Sequence, residues 1–230
     1  MKTSRRPLPA DQLGTWFAGI QKLEHGIERD CVTVALFTGL RKDSVTKLRW
    51  EHVELPNRQL FVFAPKGGEE RSFHLPLSDY LVRLLQRRQA EHKRLIERRA
   101  IPLHATPFVF PAARGKTGHI VETRWNIAAV YYEVELKAGD KKVKRRRQYT
   151  MHDLRRTFAT VAESLDISPY AIKALLNHRS NSNIDVTGGY IDVRPDRLRE
   201  PMQRITDRLL ELIARTDLPT IEAPELAEAA

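Results

Sequence analysis

The run His152-Asp153-Leu154-Arg155-Arg156-Thr157 sets an imidazole and a guanidinium three residues apart, so on a helix both project from one face. Thr150 stands where a helix cap belongs, and Asp153 completes the signature of a capping box, which predicts a sharply defined helix start. His152 and Arg155 then fall in the first turn, where unpaired N–H groups and the positive end of the helix dipole favour an anion such as a phosphate. Taken alone, the same residues also read as a surface His and Arg on a well-capped helix.

Other elements must bring partners to that turn. Leu13, Trp16, Phe17 and Ile20 follow helical spacing and predict a helix over about 10–23; a second apolar helix over about 28–38 stops at Gly39. Arg41 then opens a shorter helical turn toward Leu48, at a helix junction. Glu51–Glu54, Gln59–Ala64 and Arg71–Leu77, separated by Pro56-Asn57 and Lys66-Gly67-Gly68, read as three antiparallel strands. Tyr80 to Arg99 reads as one long helix with a single buried stripe. Pro107–Pro111 is a short apolar link, and about 122–135 is expected to be helical again. Lys137 to Arg147 is a basic run around the turn signal Gly139-Asp140, and helices are expected over about 151–164, 168–176 and 196–215. Leu218–Ala230 lacks a helical stripe and is expected to be a flexible tail.

Composition limits the partners. With 41% hydrophobic and 30% charged residues in 230, the chain buries a sizeable core, and nothing approaches the roughly 18 apolar residues of a membrane span. The start MKTSRRPLPADQ has no apolar signal core, so a cytoplasmic protein without membrane contact is expected. Cys31 is the single cysteine and lies in an apolar run, which excludes a disulfide framework and a cysteine-based zinc site. A net charge of +10 favours polyanions, nucleic acid foremost, as partners.

His152–Thr157, the later Leu175-Leu176-Asn177-His178 and the closing Thr187-Gly188-Gly189-Tyr190 together resemble the signature box of the tyrosine recombinases, the phage integrase family. Thr38-Gly39-Leu40-Arg41 followed by Leu48-Arg49-Trp50 resembles that family's earlier arginine motif, and Ala64-Pro65-Lys66-Gly67-Gly68 resembles its lysine-bearing hairpin turn. The resemblance covers about residues 7–215 and carries over six catalytic positions: Arg41, Lys66, His152, Arg155, His178 and Tyr190. Ser44 departs from the pattern where the family usually has an acidic residue, although Asp43 stands beside it. The interval from His178 to Tyr190 is also longer than usual, with Asn181-Ser182-Asn183 as the insertion.

The resemblance implies an α+β, mainly helical fold, the tyrosine recombinase catalytic domain, with a small three-stranded antiparallel sheet. That domain would occupy 9–216, with 1–8 the end of an interdomain linker and 217–230 the tail. It also implies site-specific DNA recombination of the phage or genomic-island integrase type. Tyr190 would attack a phosphodiester to give a 3′-phosphotyrosine link, Arg41 and Arg155 would hold the phosphate, and Lys66 would protonate the leaving 5′-oxygen. His152 suits proton transfer with the tyrosine and His178 a hydrogen bond to phosphate, two assignments that could be exchanged. No metal and no cofactor are implied. The partners implied are double-stranded DNA attachment sites and a homotetramer formed on DNA from monomers. Lys141, Lys142, Lys144, Arg145, Arg146 and Arg147 are candidate phosphate contacts or a solvated hairpin. A type IB topoisomerase, or a non-catalytic DNA-binding relative, is the alternative. His25, His52, His92, His104 and His119 are expected to be structural, with His74 open.

Overall fold

The structure, a computed structural model, describes residues 6–66, 68–123, 125, 130–138, 141–178 and 195–215. Its centre is α2 (Gly26–Thr38), in which every residue from Asp30 to Thr38 is buried. A run that is apolar all round must be covered on every side, and α2 is packed by α1 (Leu13–Gln21), α4 (Asp79–Glu97), α5 (Met151–Glu163) and α7 (Arg199–Ala214). Cys31 lies in this core at 0% exposure, and burial raises its thiol pKa far above the ordinary value, with Glu28 and Asp30 adding to the shift.

Each surrounding helix contributes one face. α5 buries Met151, Leu154, Phe158, Val161 and Ala162, and α4 buries a stripe of Leu81, Leu84, Leu85, Arg88 and His92. α7 buries Met202, Ile205 and Leu209 against its own chain. The amphipathic stretch from Leu198 to Ile213 thus closes this domain's core.

Three strands form an antiparallel sheet in the order β1 (Val53–Glu54), β2 (Gln59–Val62), β3 (Phe73–Pro76), with Leu60 opposite Leu75 and Val62 opposite Phe73. Leu60, Val62 and Leu75 face the core, which leaves Phe61 and Phe63 on the opposite face. The strands are shorter than their sequence predicts. Trp50–His52 forms a 3₁₀ turn, its first N–H taken by the Pro107 carbonyl at 2.9 Å, and Glu69–Arg71 forms another.

Where a helix over about 122–135 is expected, the described residues Glu122, Thr123, Trp125, Val130 and Tyr131 have no regular structure, and β4 (Tyr132–Ala138) pairs in antiparallel register with β5 (Lys141–Arg147). Tyr132, Val134 and Leu136 alternate with Glu133, Glu135 and Lys137, a period of two that pairing with β5 satisfies. The tail Leu218–Ala230 and the linker residues before Arg6 lie outside the described residues.

Candidate active site

α2 ends on Gly39 in the left-handed conformation, φ 62°, and two residues later Arg41 is the cap residue of α3 (Lys42–Thr46). The turn has no room for a side chain, because a Cβ on Gly39 would meet Phe158 Cδ1 at 2.7 Å and Leu176 Cδ2 at 2.8 Å. That close approach lets Arg155, rising from α5, reach two backbones at once. Its Nη1 donates to the Gly39 carbonyl at 2.8 Å and its Nη2 to the Leu176 carbonyl at 2.8 Å. Arg155 is only 7% exposed, and its pKa is lowered to about 10 by burial and then by the charge of Arg41. Among the described residues no carboxylate pairs with either guanidinium, so two cations share a site that an anion would neutralise.

The start of α5 is held as its sequence predicts. The Thr150 N–H donates to Asp153 Oδ2 at 2.9 Å and the Thr150 hydroxyl donates to the same oxygen at 2.7 Å. Two turns beyond the cap the helix is tied again: Thr157 Oγ1 accepts the Leu8 N–H at 2.8 Å. His152 in the first turn of α5 is exposed and faces a cleft of about 1090 Å³, whose wall also includes Arg41, Ser44 and Lys66. Lys66 lies in the turn after β2, between Pro65 and Gly68, whose N–H donates to the Pro65 carbonyl at 3.0 Å.

His178 follows α6 (Pro169–Leu175) through a Schellman ending. Asn177 takes the left-handed conformation at φ 45°, its N–H donates to the Ala174 carbonyl at 3.0 Å, and the His178 N–H donates to the Lys173 carbonyl at 2.8 Å. His178 is exposed next to the Leu176 carbonyl that holds Arg155, but it is not on the cleft wall. Arg41, Lys66 and His152 therefore share one cleft wall, whereas Arg155 and His178 are not on it: Arg155 is near enough to Arg41 for that charge to lower its pKa, and His178 is two residues past Leu176, one of the two Arg155 anchors. Tyr190 lies outside the described residues.

The cleft also contains residues to which the sequence reading gives no role at the site, His52 and His119 among them, both expected to be structural. Lys47, Arg49, His52, Phe61, Phe63 and His119 line it. His52 packs on Phe61 and Phe63 at 5.7 and 5.8 Å between ring centroids, and His119 packs on Phe108 at 5.0 Å, so both have a packing role and a wall position. His92 is a core histidine, with Nε2 at 2.8 Å from the Thr106 carbonyl and a pKa lowered by burial. His74 rests on Phe61 at 4.9 Å. Phe61 and Phe63 carried a sequence signal, as aromatics at alternate positions of the expected strand Gln59–Ala64.

Of the basic run, Lys144, Arg146 and Arg147 are exposed on β5 outside the cleft; Lys144 lies 3.9 Å from Glu133 and Arg146 stacks over Tyr131 at 4.2 Å. The side chains of Lys141, Lys142 and Arg145 lie outside the described residues. Among the described residues no cluster of His, Cys, Asp and Glu has the arrangement of a metal site.

Over 177 residues the chain is 25% identical to the prophage integrase IntF of Escherichia coli (strain K12), which covers 76% of this chain and 33% of that protein. The chain thus spans about a third of that relative's length. Its fold is shared with the integrase from mycobacterium phage Brujita, at a TM-score of 0.54 and 19% identity over 93% of this chain and 64% of that one. It is shared too with the Tn1549 transposon integrase in complex with transposon right end DNA, at a TM-score of 0.53 and 19% identity over 89% of this chain and 67% of that one. Residues 9–197 match the phage integrase family, and with Arg155 joining Gly39 to Leu176 at the junction that precedes Arg41, the chain belongs to that family.

Proposed function

We propose that this chain breaks and rejoins DNA strands at specific sites, as an integrase of the phage or genomic-island kind, through a 3′-phosphotyrosine link on Tyr190. The observation that carries the reading is the pair Arg41 and Arg155, two guanidiniums close enough for the charge of Arg41 to lower the pKa of Arg155, with no carboxylate pairing with either among the described residues. Guanidiniums hold phosphate oxygens through planar paired hydrogen bonds, and charge that gathers on those oxygens in the transition state strengthens the hold. Arg155 keeps N–H groups beyond the two spent on the Gly39 and Leu176 carbonyls.

In the proposed step the Tyr190 oxygen bonds to phosphorus, the bond to the 5′-oxygen breaks, and Lys66 gives that oxygen a proton. The tyrosine proton passes to His152, with His178 hydrogen-bonded to a phosphate oxygen. A free tyrosine is about one part in a thousand phenolate at pH 7, a handicap of about 4 kcal/mol that clustered positive charge reduces. The covalent link conserves the phosphodiester's energy, so a 5′-hydroxyl from another strand can reverse the attack and complete an exchange. On DNA attachment sites the acting form is a homotetramer assembled from monomers. The basic β4–β5 hairpin adds phosphate contacts.

Covalent trapping tests this. The protein is incubated with nicked duplexes from candidate attachment sites and run under denaturing conditions. A slow band lost in Tyr190→Phe is expected; a band that survives in Tyr190→Phe refutes the assigned nucleophile. Relaxation of supercoiled plasmids lacking any attachment site would favour a topoisomerase instead.

A further inference from the structure

We propose that Asn177 is a positioning residue, tying the turn that carries Lys66 to the segment that holds Arg155 and precedes His178. The functional half of this inference rests on the reading of Lys66 as general acid. The Asn177 Nδ2 donates to the Arg71 carbonyl at 2.7 Å, across 106 residues of sequence. A carbonyl only accepts, so the amide must present its nitrogen here.

From Arg71 the bond continues into the Lys66 turn. The Arg71 N–H donates to the Gly68 carbonyl at 3.2 Å, and the Gly68 N–H donates to the Pro65 carbonyl at 3.0 Å, with Lys66 between. Ser72 closes the base of the loop, its Oγ accepting the Ala64 N–H at 3.0 Å. On the other side Asn177 follows Leu176, whose carbonyl anchors Arg155. One side chain therefore joins a solvent-exposed lysine turn, otherwise held by its own short hydrogen bonds, to the buried arginine.

Asparagine suits both demands made at this position. It tolerates the left-handed conformation, φ 45°, that ends α6, and it supplies the donor that Arg71 takes. Glycine would meet the first demand and not the second, which separates the two roles experimentally. Aspartate tolerates the backbone but would set a carboxylate against a carbonyl, so Asn177→Asp is expected to be worse than Asn177→Gly.

Two measurements on the full chain test the proposal. The first is amide exchange in the absence of DNA: Asn177→Gly is expected to speed exchange at Gly68, Arg71 and Ser72 about tenfold relative to the core of α2. Unchanged exchange at those amides overturns the tether. The second compares cleavage of a nicked duplex with that of the same duplex carrying sulfur in place of the leaving 5′-oxygen, because a thiolate leaves without needing a proton. Asn177→Gly is expected to slow the oxygen duplex about tenfold and, like Lys66→Ala, to recover near wild-type speed on the sulfur duplex. Equal slowing on both duplexes, or no slowing on either, overturns a positioning role. If the unaltered protein forms no covalent product on either duplex, the proposed reaction fails, and amide exchange alone then decides the tether.

Discussion

Gly39 is where backbone geometry and chemistry meet. Its φ of 62° is one cost for any other residue, about 1–2 kcal/mol, and contact at 2.7 Å with Phe158 is another, about 1–3 kcal/mol where a packed core must yield. Gly39→Ala is therefore expected to lower unfolding free energy by about 3 kcal/mol in urea titrations. It should also displace the carbonyl that Arg155 grips, so covalent complex should fall further than stability alone accounts for. A loss under about 1 kcal/mol would mean that α2 and α5 separate easily at this junction. The residue types of the site were legible in the sequence because the motifs place them in order. Their bonds were not, since Arg155 reaches Gly39 across 116 residues and Asn177 reaches Arg71 across 106. Contacts at that separation leave no periodicity to read.

Between elements, the polar contact that most constrains the core joins α2 to α4. Asp30, 1% exposed, receives Arg87 Nη2 at 2.7 Å, with Arg29 Nε at 3.5 Å and Arg88 Nη1 at 3.6 Å. Arg88 is itself 2% exposed; burial lowers its pKa, and Glu91, at 2.9 Å, and Asp30 oppose that shift. Removing one partner of a buried ion pair costs about 3–5 kcal/mol because the other charge stays behind, and replacing both by apolar groups is often near neutral. Asp30→Leu should thus destabilise by about 3 kcal/mol, the low end because Glu91 remains, and Asp30→Leu with Arg88→Met should recover most of it in a double-mutant cycle. Additive losses would show that the cluster is not coupled. Elements with a sustained helical period, α1, α2, α4, α5 and α7, were legible for the same reason that they pack: one stripe or the whole surface is apolar. β4 was not, since Glu133, Glu135, Leu136 and Lys137 individually favour a helix and only pairing with β5 decides for a strand.

Across the whole molecule, a charge of +10 would draw in a polyanion such as the DNA of the proposed reaction, but the arrangement of partners determines where a duplex would lie. Several cations on the cleft wall are already engaged: Lys42 Nζ is 2.8 Å from Glu122, and Arg49 Nε is 2.5 Å from Glu51. Lys47, on the same wall, has no carboxylate within ion-pair distance among the described residues. A phosphate neutralised by a lysine releases condensed counterion, and each such contact adds about 0.9 to the slope of log affinity against log salt. If the duplex runs through the cleft, Lys47→Ala should reduce that slope by about 0.9 and weaken all sequences alike, since a phosphate contact carries no base information. Lys42→Ala should change it less, because binding must first draw Lys42 from Glu122. Lys144→Ala measures the alternative path along the β4–β5 hairpin, which lies outside the cleft. A slope that falls with Lys144→Ala and not with Lys47→Ala would place the backbone on the hairpin. It would leave Arg41 and Arg155 without the phosphate that their pairing demands, and the proposed chemistry would have to be abandoned at its first step.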